Sequence, residues 1–153
     1  MKLAKDLEEF IALLNGHGVD YVLIGGWAFG YHAIPRYTGD LDFFLRCDQA
    51  NAARMQRVLN EFGMSEVTDF KENFLKPGNI IQFGVPPNRI DLLTKIDGES
   101  FEEVWETRVM GRLDNVEVPL ISRELLIKNK IASARPKDLA DLDALRQTDE
   151  SAD

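Results

Sequence analysis

The chain has 153 residues, 44% of them hydrophobic, which is enough for one domain with its own core and shows no break into two units. A net charge of −8 and a pI near 4.8 argue against broad, non-specific nucleic-acid binding, because such binding depends on basic side chains; a local basic patch stays open. Cys47 is the single cysteine, which excludes an intramolecular disulfide, and no cysteine or histidine cluster has zinc-ligand spacing.

The N-terminal segment is amphipathic and charged, and it lacks the apolar stretch of a signal peptide. No window of the sequence approaches the length of a membrane span. We therefore expect a protein of the cytoplasm that has no membrane partner.

The first part of the chain predicts a helix, a strand, a glycine turn and a second helix. Apolar residues at helical spacing predict an amphipathic helix over about residues 3–15. Tyr21–Ile24 is a short apolar run that predicts a strand, and it leads directly into Gly25-Gly26. Residues 27–33 are small or aromatic and predict a short helix that ends before Pro35.

An acidic pair opens the next predicted strand. Along residues 41–45 side chains alternate between two faces, so the apolar residues point into a core and Asp40 and Asp42 share the other face. Two carboxylates in one small space repel each other, and they stay ionised comfortably only when a cation lies between them. The pair therefore predicts a site for a hard divalent metal.

The middle of the chain predicts a long helix followed by a hairpin. Asp48 would cap the helix, which ends near Gly63, and the polar residues 65–78 predict a loop or a short strand. Residues 79–85 and Arg89–Leu93 read as two strands of a hairpin, because the prolines between them cannot donate to a ladder.

The remaining elements complete a mixed architecture. Residues 100–103 have a capping-box pattern in front of a short helix, and residues 113–121 predict a tight turn into a strand. The expected fold class is α+β, a small mixed β-sheet flanked by helices, because the elements lack the regular spacing of a doubly wound sheet. Residues 1–153 would form one domain, with a core over about 1–121 and C-terminal helices over about 122–147.

A third carboxylate, Asp91, lies on the second arm of the predicted hairpin. Phosphoryl and nucleotidyl transfer depend mainly on neutralising the charge of the phosphate oxygens. Asp40 and Asp42 would supply protein ligands to Mg²⁺ while a triphosphate completes its octahedral shell. Asp91 would bridge a second metal or accept the proton of the attacking hydroxyl, and the alternative is that it serves only as a salt-bridge partner for Arg89.

Gly25 and Gly26 are suited to binding phosphate. Without Cβ atoms, the backbone can approach phosphate oxygens and present N–H groups, assisted by the N-terminus of the following helix. The pair is then expected to cradle the leaving pyrophosphate, although a glycine pair by itself is more often a turn.

Two stretches of the chain resemble the polymerase-β-like nucleotidyltransferase superfamily, namely residues 24–28 (IGGWA) and residues 36–43 (RYTGDLDF). The resemblance is to minimal bacterial members: the AbiEii-like toxins of type IV toxin–antitoxin systems, other minimal nucleotidyltransferases, and lincosamide nucleotidyltransferases. Residues 130–141 (KIASARPKDLAD) also resemble the segment that these small proteins carry after the core. Together the matches are spread over residues 24–141, which is most of the chain.

The resemblance implies a nucleotidyltransferase fold that transfers a nucleoside monophosphate from an NTP, with Mg²⁺ or Mn²⁺ as the cofactor. It implies that the metal is held by Asp40 and Asp42, with Asp91 as the third aspartate on a neighbouring strand. These three residues are therefore the expected catalytic and metal-binding residues.

The resemblance also implies nucleotide contacts outside the acidic group. Arg36 and Thr38 match the family's Arg-x-Thr approach to the acidic pair, and the lysine that matches Lys130 is associated with the triphosphate. The alternative for Lys130 is a solvated lysine on a helix. Ala33 and Ala134 stand where the family frequently has glycine, which puts loop geometry rather than the metal site in doubt.

Basic residues between positions 123 and 137 form a run inside this acidic protein. They would meet a triphosphate or an RNA backbone, or they would only complement the nearby aspartates. A toxin acting with an antitoxin partner would fit this run and the minimal length. Antibiotic modification would instead need an acceptor pocket, which a chain this short would have to build as a homodimer.

Two classes of function follow from the sequence. The first is an enzyme that uses an NTP to modify a hydroxyl of an RNA 3′ end, a protein or a small molecule. The second is a catalytically inactive nucleotide- or partner-binding module of the same fold. Loss of a metal carboxylate would indicate the second class, and since Asp40, Asp42 and Asp91 are all present, the enzyme is favoured.

Overall fold

The structure is a computed structural model, and it describes residues 3–35, 38–64, 70–76 and 78–151. Its strands are β1 (Tyr21–Ile24), β2 (Asp40–Leu45), β3 (Ile80–Phe83), β4 (Arg89–Leu93), β5 (Val109–Leu113) and β6 (Val116–Leu120). Its helices are α1 (Lys5–Gly16), α2 (Gly25–His32), α3 (Gln49–Glu61), α4 (Phe70–Phe74), α5 (Phe101–Glu106), α6 (Arg123–Ser133) and α7 (Pro136–Ser151). The α+β class expected from the sequence is confirmed.

The strands form one six-stranded mixed sheet in the order β3-β4-β2-β1-β6-β5. The antiparallel hairpins β3-β4 and β5-β6 form its two edges. In the centre, β1 is antiparallel to β2 and parallel to β6, while β2 is parallel to β4. The two aspartates of β2 therefore have a neighbouring strand on either side.

Helix α1 covers the sheet with one apolar face. Its buried residues, Leu7, Phe10, Ile11 and Leu14, recur at the spacing of an amphipathic helix. The rings of Phe10 and Phe43 lie with their centroids 5.5 Å apart, which ties the helix to β2. Full burial of one such side chain contributes roughly 1.5–3 kcal/mol, so this face anchors the helix.

Side chains of β2 alternate between the two faces of the sheet, as predicted. Leu41, Phe43 and Leu45 are fully buried in the core. Asp40 and Asp42 keep partial exposure on the opposite face. The core thus fixes the direction in which the acidic pair points.

The local signals for helix caps are also confirmed. The Asp48 side chain accepts a hydrogen bond of 2.8 Å from the backbone N–H of Asn51 at the start of α3. Ser100 and Glu103 form both bonds of a capping box at the start of α5.

Within the described residues, no helix combines the length and the apolar character that crossing a bilayer requires.

Three predicted boundaries differ from the structure. The loop or short strand expected over 65–78 is wrong for α4, which is helical and buries Phe74 in the core. Residues 65–69 and 77 lie outside the described residues. The predicted turn at Gly25-Gly26 is the first turn of α2 itself. Helix α7 continues past residue 147 to Ser151, and the Thr148 hydroxyl donates to the Ala144 carbonyl at 2.9 Å.

Candidate active site

Three carboxylates meet on one face of the sheet. Parallel pairing of β2 with β4 sets Asp42 opposite Asp91 and Asp40 opposite Arg89. Because these residues alternate along their strands, their side chains share a face. One carboxylate oxygen from each of the three aspartates lies within 4.8 Å of the others. That separation is close to the ~4 Å between oxygens on opposite sides of one Mg²⁺ ion.

The surroundings of Asp42 oppose ionisation of its carboxyl group. Burial, and after it the charges of Asp40 and Asp91, raise the pKa of Asp42 to about 8. A divalent cation placed between the three groups would reverse this effect by favouring their ionised forms. The donor set therefore fits a hard divalent ion.

Arg89 lies across two of the aspartates. Its Nε donates to Asp91 Oδ1 at 2.9 Å, and its Nη2 donates to Asp91 Oδ2 at 3.1 Å and to Asp40 Oδ2 at 3.0 Å. The Gln82 side chain of β3 donates to Asp91 Oδ2 at 3.3 Å. The bonds from Arg89 to the two aspartates raise the pKa of Arg89, and the bond to Asp91 is the largest cause. The salt bridge considered for Asp91 is therefore present, and it extends to Asp40.

The glycine pair closes the site beside Asp42. Gly25 has φ +71°, and a Cβ atom built there would lie 2.1 Å from Asp42 Oδ2. A Cβ atom at Gly26 would lie 2.4 Å from Cγ2 of Thr38. No side chain of the described residues caps the N-terminus of α2, so its first N–H groups are available to an anion. A side chain at Gly25 would displace the Asp42 carboxylate, and one at Gly26 would displace Thr38.

Thr38 offers a second sign of a polar ligand. Its Oγ1 atom is buried, and among the described residues it has no hydrogen-bond partner. A buried hydroxyl beside Gly26 is suited to a phosphate oxygen, which would supply the missing partner. Arg36, the other residue of the Arg-x-Thr approach, lies outside the described residues.

Lys130 is buried in the interface between α6 and α7. Its Nζ lies 2.7 Å from Asp141 Oδ2 and 3.6 Å from Asp138 Oδ1, and only 5% of the residue is exposed. The interpretation as a solvated surface lysine is therefore wrong. Its Nζ also lies 5.7 Å from the centroid of the Phe29 ring in α2, so the ion pair packs against the helix that carries the glycine pair.

Arg135 forms an ion pair with Asp138 in the first turn of α7. Its Nε donates to Asp138 Oδ2 at 2.8 Å, and the charges of Asp97 and Asp42 also help to raise its pKa. Although burial raises the pKa of Asp138, hydrogen bonds from Arg135 and Ser133 lower it to about 2. The basic run is thus partly paired with the aspartates of α7, as one of the two sequence interpretations expected.

A family model described as the nucleotidyl transferase AbiEii toxin of type IV TA systems matches residues 10–153. The chain belongs to the AbiEii nucleotidyltransferase family. The sequence resemblance to minimal nucleotidyltransferases is thereby confirmed, and the protein is a nucleotidyltransferase. No protein of curated function matches the sequence.

Solved structures share the AbiEii chain's fold. The lincosamide antibiotic adenylyltransferase LnuA, in a lincomycin-bound crystal structure, is 16% identical with a TM-score of 0.57, and the match covers 96% of this chain and 98% of that one. An antigenic nucleotidyltransferase-like protein from Paracoccidioides brasiliensis is 17% identical with a TM-score of 0.57, over 92% of this chain and 74% of that one. At these identities the similarity shows the fold alone.

Two positions where the AbiEii chain departs from the family pattern behave differently. Ala134 ends α6 in the left-handed conformation, with φ 48° and ψ 30°, which explains why glycine is frequent there. Ala33 ends α2 with φ −129° and ψ −95°, outside the left-handed region. Next to it, His32 Nε2 lies 2.7 Å from the Ile121 carbonyl oxygen, which ties the end of α2 to the end of β6.

Two polar contacts in the site were missed by sequence reasoning. The bond from Arg89 to Asp40 depends on the parallel pairing of β2 with β4, which no local pattern encodes. The contact from Gln82 had a detectable signal, because this residue is a polar interruption of the apolar run Ile80–Phe83. Its position opposite Asp91 follows from the register of the hairpin.

Proposed function

We propose that this AbiEii-family enzyme transfers a nucleoside monophosphate from an NTP to a hydroxyl group, with Mg²⁺ or Mn²⁺ held by Asp40, Asp42 and Asp91. The convergence of these three carboxylates within 4.8 Å, beside a glycine pair that tolerates no Cβ, is the observation that carries the proposal. A bound divalent ion would supply charge neutralisation at the phosphates.

Residues of the chain would take the proton from the acceptor and hold the leaving pyrophosphate. The acceptor oxygen forms a bond to the α-phosphorus while the bond from that phosphorus to the β-phosphate oxygen breaks, and pyrophosphate leaves. Asp91 is the proposed base that takes the acceptor proton, because it is buried and oriented by Arg89 and Gln82. The N–H groups that follow Gly25 would hold the leaving pyrophosphate.

The nucleotide-binding set proposed here is Gly25, Gly26, Arg36, Thr38 and Lys130. The orphaned Thr38 hydroxyl supports its inclusion, and the position of Lys130 against α2 is compatible with a role near the triphosphate. Since Lys130 already pairs with two aspartates, its part would be to support the phosphate site from behind α2.

The family description supports a toxin role as a further part of the proposal. A toxin would arrest growth when expressed in the cytoplasm, where NTPs are available, and an antitoxin would relieve the arrest. The acceptor would then be an RNA 3′ end or a protein. A small-molecule acceptor is the alternative, and it would favour a homodimer that builds the acceptor pocket.

A labelling experiment tests the proposed activity. The protein is incubated with each of the four α-labelled NTPs, Mg²⁺ and a cell extract, and label is sought in RNA, protein and small molecules. The wild type is expected to transfer label to one of these classes. The Asp40→Asn, Asp42→Asn double variant should transfer none, whereas Asp143→Asn, at an exposed position of α7, should match the wild type. Equal behaviour of wild type and double variant would support the inactive binding module.

A further inference from the structure

Arg89 brings a positive charge to two of the three carboxylates in the acidic site. Its guanidinium touches three of the four oxygens of Asp40 and Asp91, at 2.9–3.1 Å. The fork of a guanidinium matches the two oxygens of one carboxylate, and here it spans both oxygens of Asp91. Arg89 therefore already provides part of the positive charge that three neighbouring carboxylates require.

The two aspartates depend on Arg89 to different degrees. Asp91 receives two bonds from Arg89 and a third from Gln82, so both of its oxygens are engaged within the chain. Asp40 receives a single bond, from Nη2 to Oδ2. The contact with Asp40 is the one that a competing cation can displace without releasing Asp91.

A divalent ion and the guanidinium of Arg89 would both lie beside Asp40. An ion held by Asp40 and Asp42 would come within a few ångströms of the guanidinium, and two positive charges at that distance repel each other substantially even at an effective dielectric constant of about 20. At the same time, loss of Arg89 would leave the buried Asp91 without its main counter-charge.

We propose that Arg89 is a positioning residue that fixes Asp91 for proton transfer and competes with the divalent ion for Asp40, so that it weakens metal binding while it supports turnover. This inference rests on the proposed metal-dependent function. It separates two effects of one side chain: its charge sets the metal affinity, and its forked geometry sets the orientation of Asp91.

Two substitutions separate charge from geometry. Arg89→Gln removes the positive charge, so the divalent ion should bind about tenfold more tightly while kcat falls. Arg89→Lys keeps the charge but loses the fork, so metal affinity should stay near that of the wild type while kcat still falls. Arg112→Gln removes the same charge from an exposed position in β5, at the other edge of the sheet, and should change neither quantity.

The test is a Mn²⁺ titration followed by the electron paramagnetic resonance signal of free Mn²⁺, which requires no catalytic turnover. Binding constants are measured for the wild type, the three arginine variants and the Asp40→Asn, Asp42→Asn double variant. Circular dichroism melting checks that each variant is folded. Unchanged or weaker Mn²⁺ binding by a folded Arg89→Gln variant would overturn the inference.

A measurement on the wild type covers the case in which Arg89→Gln does not fold. The Nη2 hydrogens of Arg89 are held by both aspartates. They should exchange faster with solvent once Mg²⁺ is added, and nuclear magnetic resonance measures this exchange. Exchange that stays constant or slows would contradict the competition.

Failure of this inference can be distinguished from failure of the proposed function. If the wild type binds no Mn²⁺, or if the double variant binds it equally well, the proposed metal site is wrong and Arg89 has no ion to compete with. If the wild type alone binds Mn²⁺ and Arg89→Gln binds it equally well, only the role of Arg89 is wrong.

Discussion

At the scale of single residues, Gly25 is the tightest steric constraint beside the acidic group. The residue combines φ +71° with a position where any Cβ atom would overlap the Asp42 carboxylate. We predict that Gly25→Ala lowers kcat by about two orders of magnitude, because it displaces Asp42 by about an ångström. The measurement is the rate of label transfer under saturating NTP.

Gly63 provides the matched control for this prediction. It has φ +89°, and a Cβ atom there would meet no atom within 4 Å. Gly63→Ala should therefore lose about 1–2 kcal/mol of stability from backbone strain while its activity stays as in the wild type. Comparable loss of activity in both variants would mean that Gly25 acts through stability rather than through Asp42.

Ala134 is the reverse case, in which a residue other than glycine occupies a backbone conformation that favours glycine. Its φ of 48° places it in the left-handed region at the end of α6. We predict that Ala134→Gly raises the free energy of unfolding by up to about 1 kcal/mol, since relief of this strain is partly offset by the greater freedom of glycine in the unfolded chain. Urea unfolding measures the change, and a lower midpoint would contradict the prediction.

At the scale of elements, the junction of α6 and α7 is held by a compact charge network. Asp138 accepts hydrogen bonds from the Ser133 hydroxyl at 2.7 Å and from the Arg135 backbone at 3.1 Å, and it lies 3.6 Å from the ammonium of Lys130. The network closes the turn between the two helices.

This network makes part of the stability depend on pH. The pKa of Asp138 in the folded chain is about 2, below its ordinary value of 3.8. Folding thus favours the ionised carboxylate, so the stability that it contributes is complete above 3.8 and is lost as the pH falls through 3.8 towards 2. Asp138→Asn should be less stable at neutral pH and lose less stability over this acid range.

Thermal unfolding between pH 2 and pH 7 measures this dependence. Asp143→Asn changes an exposed aspartate of the same helix and is expected to reproduce the wild-type curve. If Asp138→Asn loses stability over the acid range as steeply as the wild type, its carboxylate does not contribute in the way described.

Much of the element order could be predicted because its signals are local. The apolar run Tyr21–Ile24 predicted β1, and the capping side chains of Asp48 and Ser100 predicted the starts of two helices. The helical state of α4 could not be predicted in this way, and the burial of its Phe74 depends on residues from other elements of the core. The burial of Lys130 likewise depends on α7 folding back onto α6.

At the scale of the whole molecule, the acidic site is a product of sheet topology. Asp42 and Asp91 are 49 positions apart in the sequence and become register partners only when β2 and β4 pair in parallel. The resemblance to the nucleotidyltransferase superfamily predicted that they would converge, whereas the bond from Arg89 to Asp40 required the register itself. One cluster of buried side chains from Leu3 to Leu145 supports the proposal of a single domain, which two separate unfolding transitions would contradict.

The most direct test is anomalous diffraction from crystals of the wild type soaked with Mn²⁺ and a non-hydrolysable NTP. We expect an anomalous peak whose distance to carboxylate oxygens of Asp40 and Asp42 is about 2.0–2.2 Å, with the triphosphate against Gly25. A nucleotide bound with its metal at other residues, or a triphosphate bound elsewhere on the chain, would contradict the proposed site.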